Sequence, residues 1–481
     1  MRIKKKQKIL SPAAWGLEVN RQGELIVGDC STVSLAKKYG TPLHVINEDR
    51  LEATAIDFKQ AFESTYQGKV SVHYAFKCNS VPGIVEIVQR SGSKAEVMSE
   101  FELMLALNLG YKGNDIIING PCKPSDLLQK CLDSGVRLIV VDSLEELKVL
   151  DEICQAINTD ADILLRINPD YTPKGMNQGT ATGSRKGCAF GLDLKGSEVD
   201  QALRWLKTTD QIHFHGFHFH IGTGIRNPDD YRQALQRLKP LIEKTQSLDF
   251  KIEVFDAGGG FAARNTREMT THEMLIYQGW EKLPIATKSE ENFTFHDFAQ
   301  AIVTGTEYLF PNRELPELLL EPGRSITSSN QMLLLTVHRI KERRDVKKWL
   351  ITDGGLGTVS MPTYYEYHEL FLCNDVMRPR TENVTIIGPV CFAGDVVYKN
   401  KLMPVVQPGE VLAIMDSGAY FTAMESTFGF PRPAIVAVAN GKNRLLRRRE
   451  AYRDMIARDY FVEYRSENLN LRRSKNEICN S

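Results

Sequence analysis

Short apolar runs alternate with amphipathic stretches along most of the chain, and this alternation is the feature that most constrains the fold. The run VSVHYAFK (70–77) has the composition of a buried strand, and GIVEIVQRSG (83–92) has the three- and four-residue apolar spacing of a helix. Further strand-like runs are predicted at 115–120, 138–143, 161–169, 215–222, 251–261 and 317–324. About eight strand–helix units of this kind predict an α/β fold, a parallel TIM-like (β/α)8 barrel.

The pattern changes after about residue 328, where strand-like runs are separated by turns with little helix between them. This favours a C-terminal, mostly antiparallel β domain. The stretch GLEVNRQGELIVGDCS near the N-terminus has a hairpin-like pattern and is expected to join that domain. The predicted organisation is an N-terminal segment (1–42), the barrel (43–328), the β domain (329–465) and a polar, disordered tail (466–481).

Charge and cysteine usage exclude several classes of function. The chain has 60 basic and 60 acidic residues in 481, so its formal net charge of zero does not favour binding to nucleic acid or to an anionic membrane. It contains no apolar run of about eighteen residues, so no membrane span is expected. The nine cysteines are scattered without a CxxC pair, which indicates reduced thiols in a cytoplasmic protein.

Catalytic residues of a barrel gather at the C-terminal ends of its strands, and Lys77 stands at such an end in HYAFKCNS. A surface lysine is the ordinary interpretation of one such residue. Burial would lower its pKa and make it a nucleophile towards a carbonyl carbon. The glycines Gly258, Gly259 and Gly260 follow another strand and could bind a phosphate through backbone N–H groups, although tight turns also use such triplets. Together the two features indicate pyridoxal 5′-phosphate (PLP) as the cofactor.

Glu321, in the stretch ELLLEPGR, acquires a role if PLP binds. A carboxylate at the pyridine nitrogen keeps that nitrogen protonated and so makes the ring a strong electron sink. The alternative is a structural one, in which Glu321 caps the helix after the last strand and pairs with Arg324.

Six motifs occur in an order that resembles the barrel-type (fold type III) PLP-dependent decarboxylases, in particular their diaminopimelate decarboxylase branch, with ornithine decarboxylases more distant. They are YAFKCN, HFHIGTG, DAGGGF, EPGR, GPVCFAGD and DSGAY, and the resemblance extends over roughly residues 25 to 460. It implies an amino-acid decarboxylase in which Lys77 binds PLP covalently. Thr223 stands where the family usually has serine.

The resemblance also implies the other contacts of the cofactor. Glu96 would orient the site near the lysine, and Arg166 would donate hydrogen bonds behind it. Thr223, Gly260 and Tyr420 would hold the phosphate. Arg324, which follows Gly323 in EPGR, would lie beside the phosphate or the substrate carboxylate.

Four histidines, at positions 213, 215, 218 and 220, raise the alternative of a zinc site. The first two and the last two have opposite parity along the chain, and alternate residues of a strand face opposite sides. They are therefore not expected to converge on one ion, and no metal is expected. The family resemblance implies instead that His220 stacks on the PLP ring, with His218 in the core and the first two structural.

Cys391 is implied by the resemblance to reach the active site of a neighbouring subunit, as the residue that protonates the reacting carbon. A homodimer with shared sites follows from that expectation. The alternative is a buried cysteine that acts only as a small apolar side chain.

Three positions depart from the family pattern. Met361 stands where an arginine usually binds the distal carboxylate of the substrate, Phe392 stands where an acidic residue is common after the cysteine, and Phe430 replaces another frequent arginine. Tyr365 matches the tyrosine that often follows. Neither methionine nor phenylalanine can pair with a charged group. The main expectation is therefore a less polar substrate, or an amino acid tethered to a carrier protein.

Other functions stay open on the sequence alone. The first alternative is a true meso-diaminopimelate decarboxylase of lysine biosynthesis, and the second is a catalytically inactive PLP-binding or regulatory homologue. A racemase is disfavoured, because it generally needs an arginine at the pyridine nitrogen and the chain has Glu321. A metal-dependent hydrolase would not need Lys77.

Overall fold

A computed structural model describes residues 10–176, 181–284, 293–311, 314–359 and 365–459. The N-terminal segment begins with a 3-10 turn at Pro12–Trp15. Its strands and helices are β1 (Glu18–Val19), β2 (Leu25–Val27), β3 (Cys30–Ser31), α1 (Thr32–Tyr39) and β4 (Leu43–Asn47). Strands β1 to β3 form an antiparallel sheet, as the hairpin-like sequence predicted.

The barrel is closed and parallel. Its eight strands are β5 (Val70–Ala75), β6 (Lys94–Val97), β7 (Ile116–Ile118), β8 (Leu138–Val141), β9 (Ala161–Asn168), β11 (Ile212–Phe219), β12 (Val254–Asp256) and β14 (Glu317–Leu320), and the short strands β10 (Leu192–Asp193) and β13 (Arg267–Glu268) lie outside it. Each barrel strand pairs with the next in the chain. Pairing of β8 with β9 and of β14 with β5 closes the ring. The predicted barrel is therefore confirmed.

Helices surround the barrel, and several of them begin at a residue whose side chain caps the first turn. Ser143, for example, accepts a hydrogen bond from the backbone N–H of Glu146, which fixes the start of α6. The helices are α2 (Glu48–Glu63), α3 (Pro82–Arg90), α4 (Glu100–Asn108), α5 (Ser125–Asp133), α6 (Leu144–Ile157), α7 (Glu198–Leu206), α8 (Asp229–Arg237), α9 (Lys239–Ser247), α10 (Thr271–Trp280), α11 (Phe295–Leu309) and α12 (Arg324–Thr327). No helix among the described residues is long and apolar enough to cross a membrane.

The β domain follows the barrel. Its elements are β15 (Gln331–Arg343), β16 (Lys347–Thr352), α13 (Leu356–Val359), β17 (Glu366–Tyr367), β18 (Leu370–Leu372), β19 (Arg380–Ile387), β20 (Val396–Pro404), β21 (Val411–Ile414), β22 (Ala434–Ala439), β23 (Lys442–Arg447) and α14 (Tyr452–Met455). Its pairings are antiparallel except those of β16 with β19 and of β22 with β4. The domain is thus mostly antiparallel, as predicted.

Strand β4 lies between β15 and β22 in the sheet of the β domain, although the sequence boundary at residue 43 assigned it to the barrel. A short apolar strand has the same composition in either sheet, and only its distant pairing partners decide where it lies. The N-terminal segment also joins this domain. Trp15 donates its indole N–H to Asp416 at 2.9 Å, and its ring packs edge-on against Phe371. The predicted tail at 466–481 lies outside the described residues.

Candidate active site

Lys77 lies in a 3-10 turn directly after β5, at the C-terminal end of the barrel. Its ammonium group forms an ion pair with Glu96 of β6, whose side chain is fully buried while that of Lys77 is 31% exposed. Burial acts to lower the pKa of Lys77, but Glu96 and Glu321 outweigh it and hold that pKa above its usual range. The expected lowering of this pKa is therefore wrong here, because two carboxylates stabilise the charged lysine.

Glu321 follows β14 and is buried at the same end of the barrel. Asn119, which follows β7, donates its side-chain N–H to Glu321 Oε1 at 2.5 Å, and His218 Nε2 lies 3.5 Å from Oε2. Burial acts to raise the pKa of Glu321, but His218 and Lys77 hold it below its usual range. Glu321 does not cap α12, whose N-cap residue is Gly323. The structural alternative from the sequence therefore does not apply.

Asp256 ends β12 beside this carboxylate, and sequence reasoning assigned it no role. Ligating atoms of His218, Asp256 and Glu321, all buried, lie within 4.8 Å of one another. Burial and the charge of Glu321 raise the pKa of Asp256 well above its usual range. The only sequence signal was an acidic residue two positions before the glycine triplet. Only one of the four histidines, His218, joins this cluster, and its partners there are two carboxyl groups and not other histidines.

The glycine triplet forms a tight cradle after β12. Gly258 and Gly260 have φ angles of 65° and 97°, a region that favours glycine. A Cβ atom at Gly259 would lie 2.2 Å from the carbonyl oxygen of Glu321, so the backbone approach requires glycine there as well. Gly259 donates its N–H to His220 Nδ1 at 3.1 Å. Burial and Arg166 lower the pKa of His220 to about 3, so its ring is neutral.

The four histidines divide into two pairs by their position along the chain, and not by parity. His213 and His218 pair with Asp162 and Arg166 of β9, which are four residues apart and therefore share a face, so the expected opposite facing of the two pairs is wrong. A register shift between Phe214 and Gly216 interrupts the pairing of β11 with β9. His213 Nε2, before the shift, lies 3.3 Å from Asp160, and His215 Nε2, at the shift, lies 2.6 Å from Asp162, at the N-terminal end of the barrel. The later pair, His218 and His220, lies at the opposite end with Glu321 and Gly259.

Arg324 connects the barrel with the β domain. Its guanidinium group forms a buried ion pair with Glu366 at 2.6 Å and lies over the ring of Tyr420, 5.0 Å from the ring centroid. Glu366 in turn lies 3.2 Å from His368 Nε2. Tyr420 donates its backbone N–H to the carbonyl oxygen of Cys78 at 2.9 Å, which ties this residue to the Lys77 turn. Sequence reasoning missed Glu366, which lies far from the EPGR motif in the chain.

The structure also describes the surroundings of four other residues that the sequence assigned to the site. Gly323 packs so closely that a Cβ atom there would lie 2.8 Å from Cys78 Cβ. Arg166, within β9, lies 3.4 Å from Asp142 and 4.4 Å from the ring centroid of Phe190. Thr223 is half-buried in the loop after β11. Burial raises the pKa of Tyr365, with a further contribution from Glu366.

The predicted substrate residues of the β domain have a different setting. Cys391 is an exposed free thiol in the loop between β19 and β20, so the alternative of a buried apolar cysteine is wrong. Phe392 is 53% exposed, and its ring centroid lies 6.3 Å from that of Phe428. Phe430 is also exposed. Met361 lies outside the described residues.

PLP has three groups that need different partners: an aldehyde for an amine, a pyridine nitrogen for a carboxylate, and a phosphate for backbone N–H groups. Lys77, the ionised Glu321 and the backbone N–H of Gly260 lie at one end of one barrel, whereas the N–H groups of Gly258 and Gly259 are donated to Asp256 and His220. The residues fit the cofactor, and the fold and site together define a barrel enzyme of the PLP-dependent class.

Comparison with known proteins makes this class more specific. The profile of the pyridoxal-dependent decarboxylase pyridoxal-binding domain matches residues 48–328, and that of the C-terminal sheet domain matches residues 270–418. The chain therefore belongs to the pyridoxal-dependent decarboxylases. It is an enzyme that uses PLP to decarboxylate an amino acid.

Named relatives and solved structures extend over nearly the whole chain. The diaminopimelate decarboxylase of Bacillus subtilis is 30% identical over 443 residues, covering 92% of this chain and 96% of the relative. That of Methanothermobacter thermautotrophicus is 31% identical over 449 residues, with the same coverage. The crystal structure of the M. jannaschii enzyme with L-lysine superposes with a TM-score of 0.82 at 28% identity, covering 93% of this chain and 98% of that one.

Proposed function

We propose that this decarboxylase removes the carboxylate at one Cα of meso-diaminopimelate and releases lysine. The observation that carries the proposal is the similarity to diaminopimelate decarboxylases over 92% of the chain. One structural relative was solved with L-lysine bound, the compound that this reaction would produce. This substrate was an alternative on the sequence alone, and the comparisons favour it over the main expectation of a less polar or carrier-tethered substrate.

The residues at the barrel end have distinct tasks in such a reaction. Lys77 would hold the aldehyde carbon of the cofactor, and Gly260, at the end of the glycine cradle, would donate its backbone N–H to the phosphate. When bound, PLP supplies an electron sink for the bonding pair that CO2 leaves behind. Glu321, kept ionised by His218, would hold a proton at the pyridine nitrogen. Glu96 would accept a hydrogen bond from the lysine amine whenever that amine is free.

A second candidate function rests on Phe392. A substrate with a distal ammonium group would meet an exposed aromatic ring at the position where the family commonly has an acid. Phenylalanine cannot neutralise that charge, and the loss of an ion pair at so exposed a position costs up to about 1 kcal/mol. An amino acid with a less polar distal end, or one carried on a protein, would avoid the cost.

The two functions are separated by measuring CO2 release from the PLP-loaded enzyme with meso-diaminopimelate and with a series of apolar and basic amino acids. The proposal expects meso-diaminopimelate to give the highest kcat/KM and lysine as product. Preference for an amino acid without a distal charge would overturn it in favour of the second function. Failure of every substrate, with the cofactor bound to Lys77, would support the inactive homologue or a carrier-tethered substrate.

We further propose that the enzyme is a cytoplasmic homodimer whose sites are shared between subunits. The exposed Cys391 supports this, because a proton donor at the surface of one chain can serve the buried site of another. Every cysteine in the described residues is a free thiol, as a reducing compartment would allow.

Subunit mixing tests the shared site. Lys77→Ala and Cys391→Ala homodimers are each expected to be inactive. After recombination of the two, about a quarter of wild-type activity should return, since half of the dimers would hold one intact site. A mixture that stays inactive would show that Cys391 does not act across an interface.

A further inference from the structure

Asp256 has no part in the reaction described above, yet its carboxyl group lies beside the carboxylate that would hold the pyridine nitrogen. It ends β12, is completely buried and lies within 4.8 Å of Glu321 and His218 by their ligating atoms. A buried acid in this position needs a physical explanation, because burial disfavours its ionised form.

The hydrogen-bond donors around the two carboxyl groups are unequally distributed. Glu321 receives the side-chain N–H of Asn119 on one oxygen and faces His218 with the other. Asp256 Oδ1 accepts the backbone N–H of Gly258 at 2.8 Å. Asp256 Oδ2 has no hydrogen-bond partner among the described residues, although it is fully buried. A proton on Oδ2 would turn it into a donor, and the carboxylate of Glu321 is the neighbouring acceptor.

The surrounding charges favour the same arrangement. Three buried carboxyl groups, Glu96, Asp256 and Glu321, face one another at this end of the barrel. The cations opposite them are already engaged. Lys77 pairs with Glu96, and Arg166, on strand β9 two strands away from β12, lies against Asp142. His220 is neutral and burial lowers the pKa of His218 as well, so the charge of Lys77 acts on both Glu96 and Glu321. Two adjacent buried carboxyl groups with so little positive charge share one proton.

We propose that Asp256 is a neutral carboxylic acid that donates its proton in a hydrogen bond to Glu321 and so positions the ionised carboxylate for the pyridine nitrogen. Burial and the charge of Glu321 raise the pKa of Asp256, and His218 lowers that of Glu321, in agreement with this assignment. Asp256 is a positioning residue: it occupies one lone pair of Glu321 and leaves another for the pyridinium N–H. The proposal depends on the cofactor and not on which amino acid is the substrate.

Infrared spectroscopy of the whole enzyme tests the protonation directly. Protein labelled with 13C at the aspartate side-chain carboxyl is compared with unlabelled protein, with PLP bound and without substrate. The expected result is an isotope-sensitive C=O stretch of a protonated acid at pH 7.5 that disappears in Asp256→Asn. Absence of that band in the wild-type enzyme, or its persistence in Asp256→Asn, would overturn the proposal.

Conservative rescue tests the positioning. Asp256→Leu keeps the approximate volume but cannot donate, and is expected to weaken PLP binding by about tenfold or more, since a hydrogen bond to a charged group is lost. Asp256→Asn can donate through Nδ2 and accept from Gly258 through Oδ1, so it should recover affinity to within about threefold of wild type. Both are measured by absorbance titration of the apoenzyme with PLP.

Asp142→Asn is the matched control, because Asp142 is a buried carboxylate that pairs with the cation Arg166. An amide cannot replace a charged carboxylate in that ion pair, whereas it should replace a neutral acid at Asp256. If Asp256→Asn were as damaging as Asp256→Leu, Asp256 would act as a carboxylate and the proposal would be wrong. These outcomes are independent of the substrate assignment, because neither measurement includes an amino acid.

Discussion

The two ends of the barrel use charged residues in opposite ways. At the N-terminal end, Glu317 lies 2.9 Å from Lys69 and 2.7 Å from Arg137, so each charge faces its opposite close to solvent. At the C-terminal end, the carboxyl groups of Asp256 and Glu321 are buried together. Complementary pairs serve folding, whereas crowded like groups are unfavourable for folding and are typical of sites that bind or react.

Strand β11 contains this contrast within a single element. His215, near its N-terminal end, lies between Asp162 and Glu253, and these acids raise its pKa. His220, just past its C-terminal end, has its pKa lowered to about 3 by burial and by Arg166. The same residue type therefore favours its charged form at one end and its neutral form at the other. Position along the strand, and not residue type, determines the chemistry.

The largest effect that tests this comparison is expected from the two lysines that flank strand β5. Lys77→Ala removes the amine at the C-terminal end and should lower turnover by about a thousandfold or more. Lys69→Ala, just before the same strand, removes only an exposed partner of Glu317 and should leave turnover unchanged. CO2 release and the absorbance of the bound cofactor measure both. Near wild-type turnover of Lys77→Ala would refute its assignment.

A large loss of stability is expected at the ion pair above the C-terminal end. Glu366→Ala would leave Arg324 as a buried charge without its carboxylate and should destabilise the fold by about 3 to 5 kcal/mol. Glu253→Ala, at the exposed N-terminal end, should cost less than about 1 kcal/mol. Urea denaturation of both variants measures the difference. Equal losses would mean that burial of the ion pair at the C-terminal end does not increase its contribution to stability.

The sequence predicted the barrel and most of the strand ends that carry the site, because each motif follows an apolar run directly. Strand β6 was missed, since it has only four residues, Lys94–Val97, and alternates charged with apolar side chains. Its inward residue Glu96 was assigned by family resemblance and not by the strand pattern. Local patterns of this length do not distinguish a barrel strand from a turn.

What sequence could not predict depends on residues that are distant in the chain. The proximity of Asp256 to Glu321, and of Glu366 to Arg324, arises from how β12, β14 and β17 are placed in space. No spacing along the chain encodes these distances. The exposure of Cys391 likewise required the fold of the loop between β19 and β20.

A moderate effect on PLP affinity is expected when the histidines towards the two ends of β11 are each replaced by alanine. His220→Ala removes the ring that would stack on PLP and the acceptor for the N–H of Gly259, so PLP affinity should fall by about tenfold. His215→Ala should leave PLP affinity unchanged, because that ring contacts only acids at the opposite end. Titration of each apoenzyme with PLP measures the effect. Equal affinity of the two variants would argue against the stacking role of His220.

The smallest effect concerns how the stability provided by His215 depends on pH. Hydrogen bonding to Asp162 raises the pKa of His215 in the folded chain above its unfolded value near 6.5, and the same bond lowers the pKa of Asp162. The stabilisation is therefore fully present below about pH 6.5, while Asp162 remains ionised, and is lost as the pH rises through the folded pKa of the histidine.

His215→Gln should lower the melting temperature by about 1 to 2 °C more at pH 6 than at pH 9, which is the size expected for a half-exposed ion pair. Differential scanning fluorimetry of both proteins at the two pH values measures it. A difference of the opposite sign would mean that His215 is neutral in the folded chain, and the contrast between the two ends of β11 would then not be one of charge.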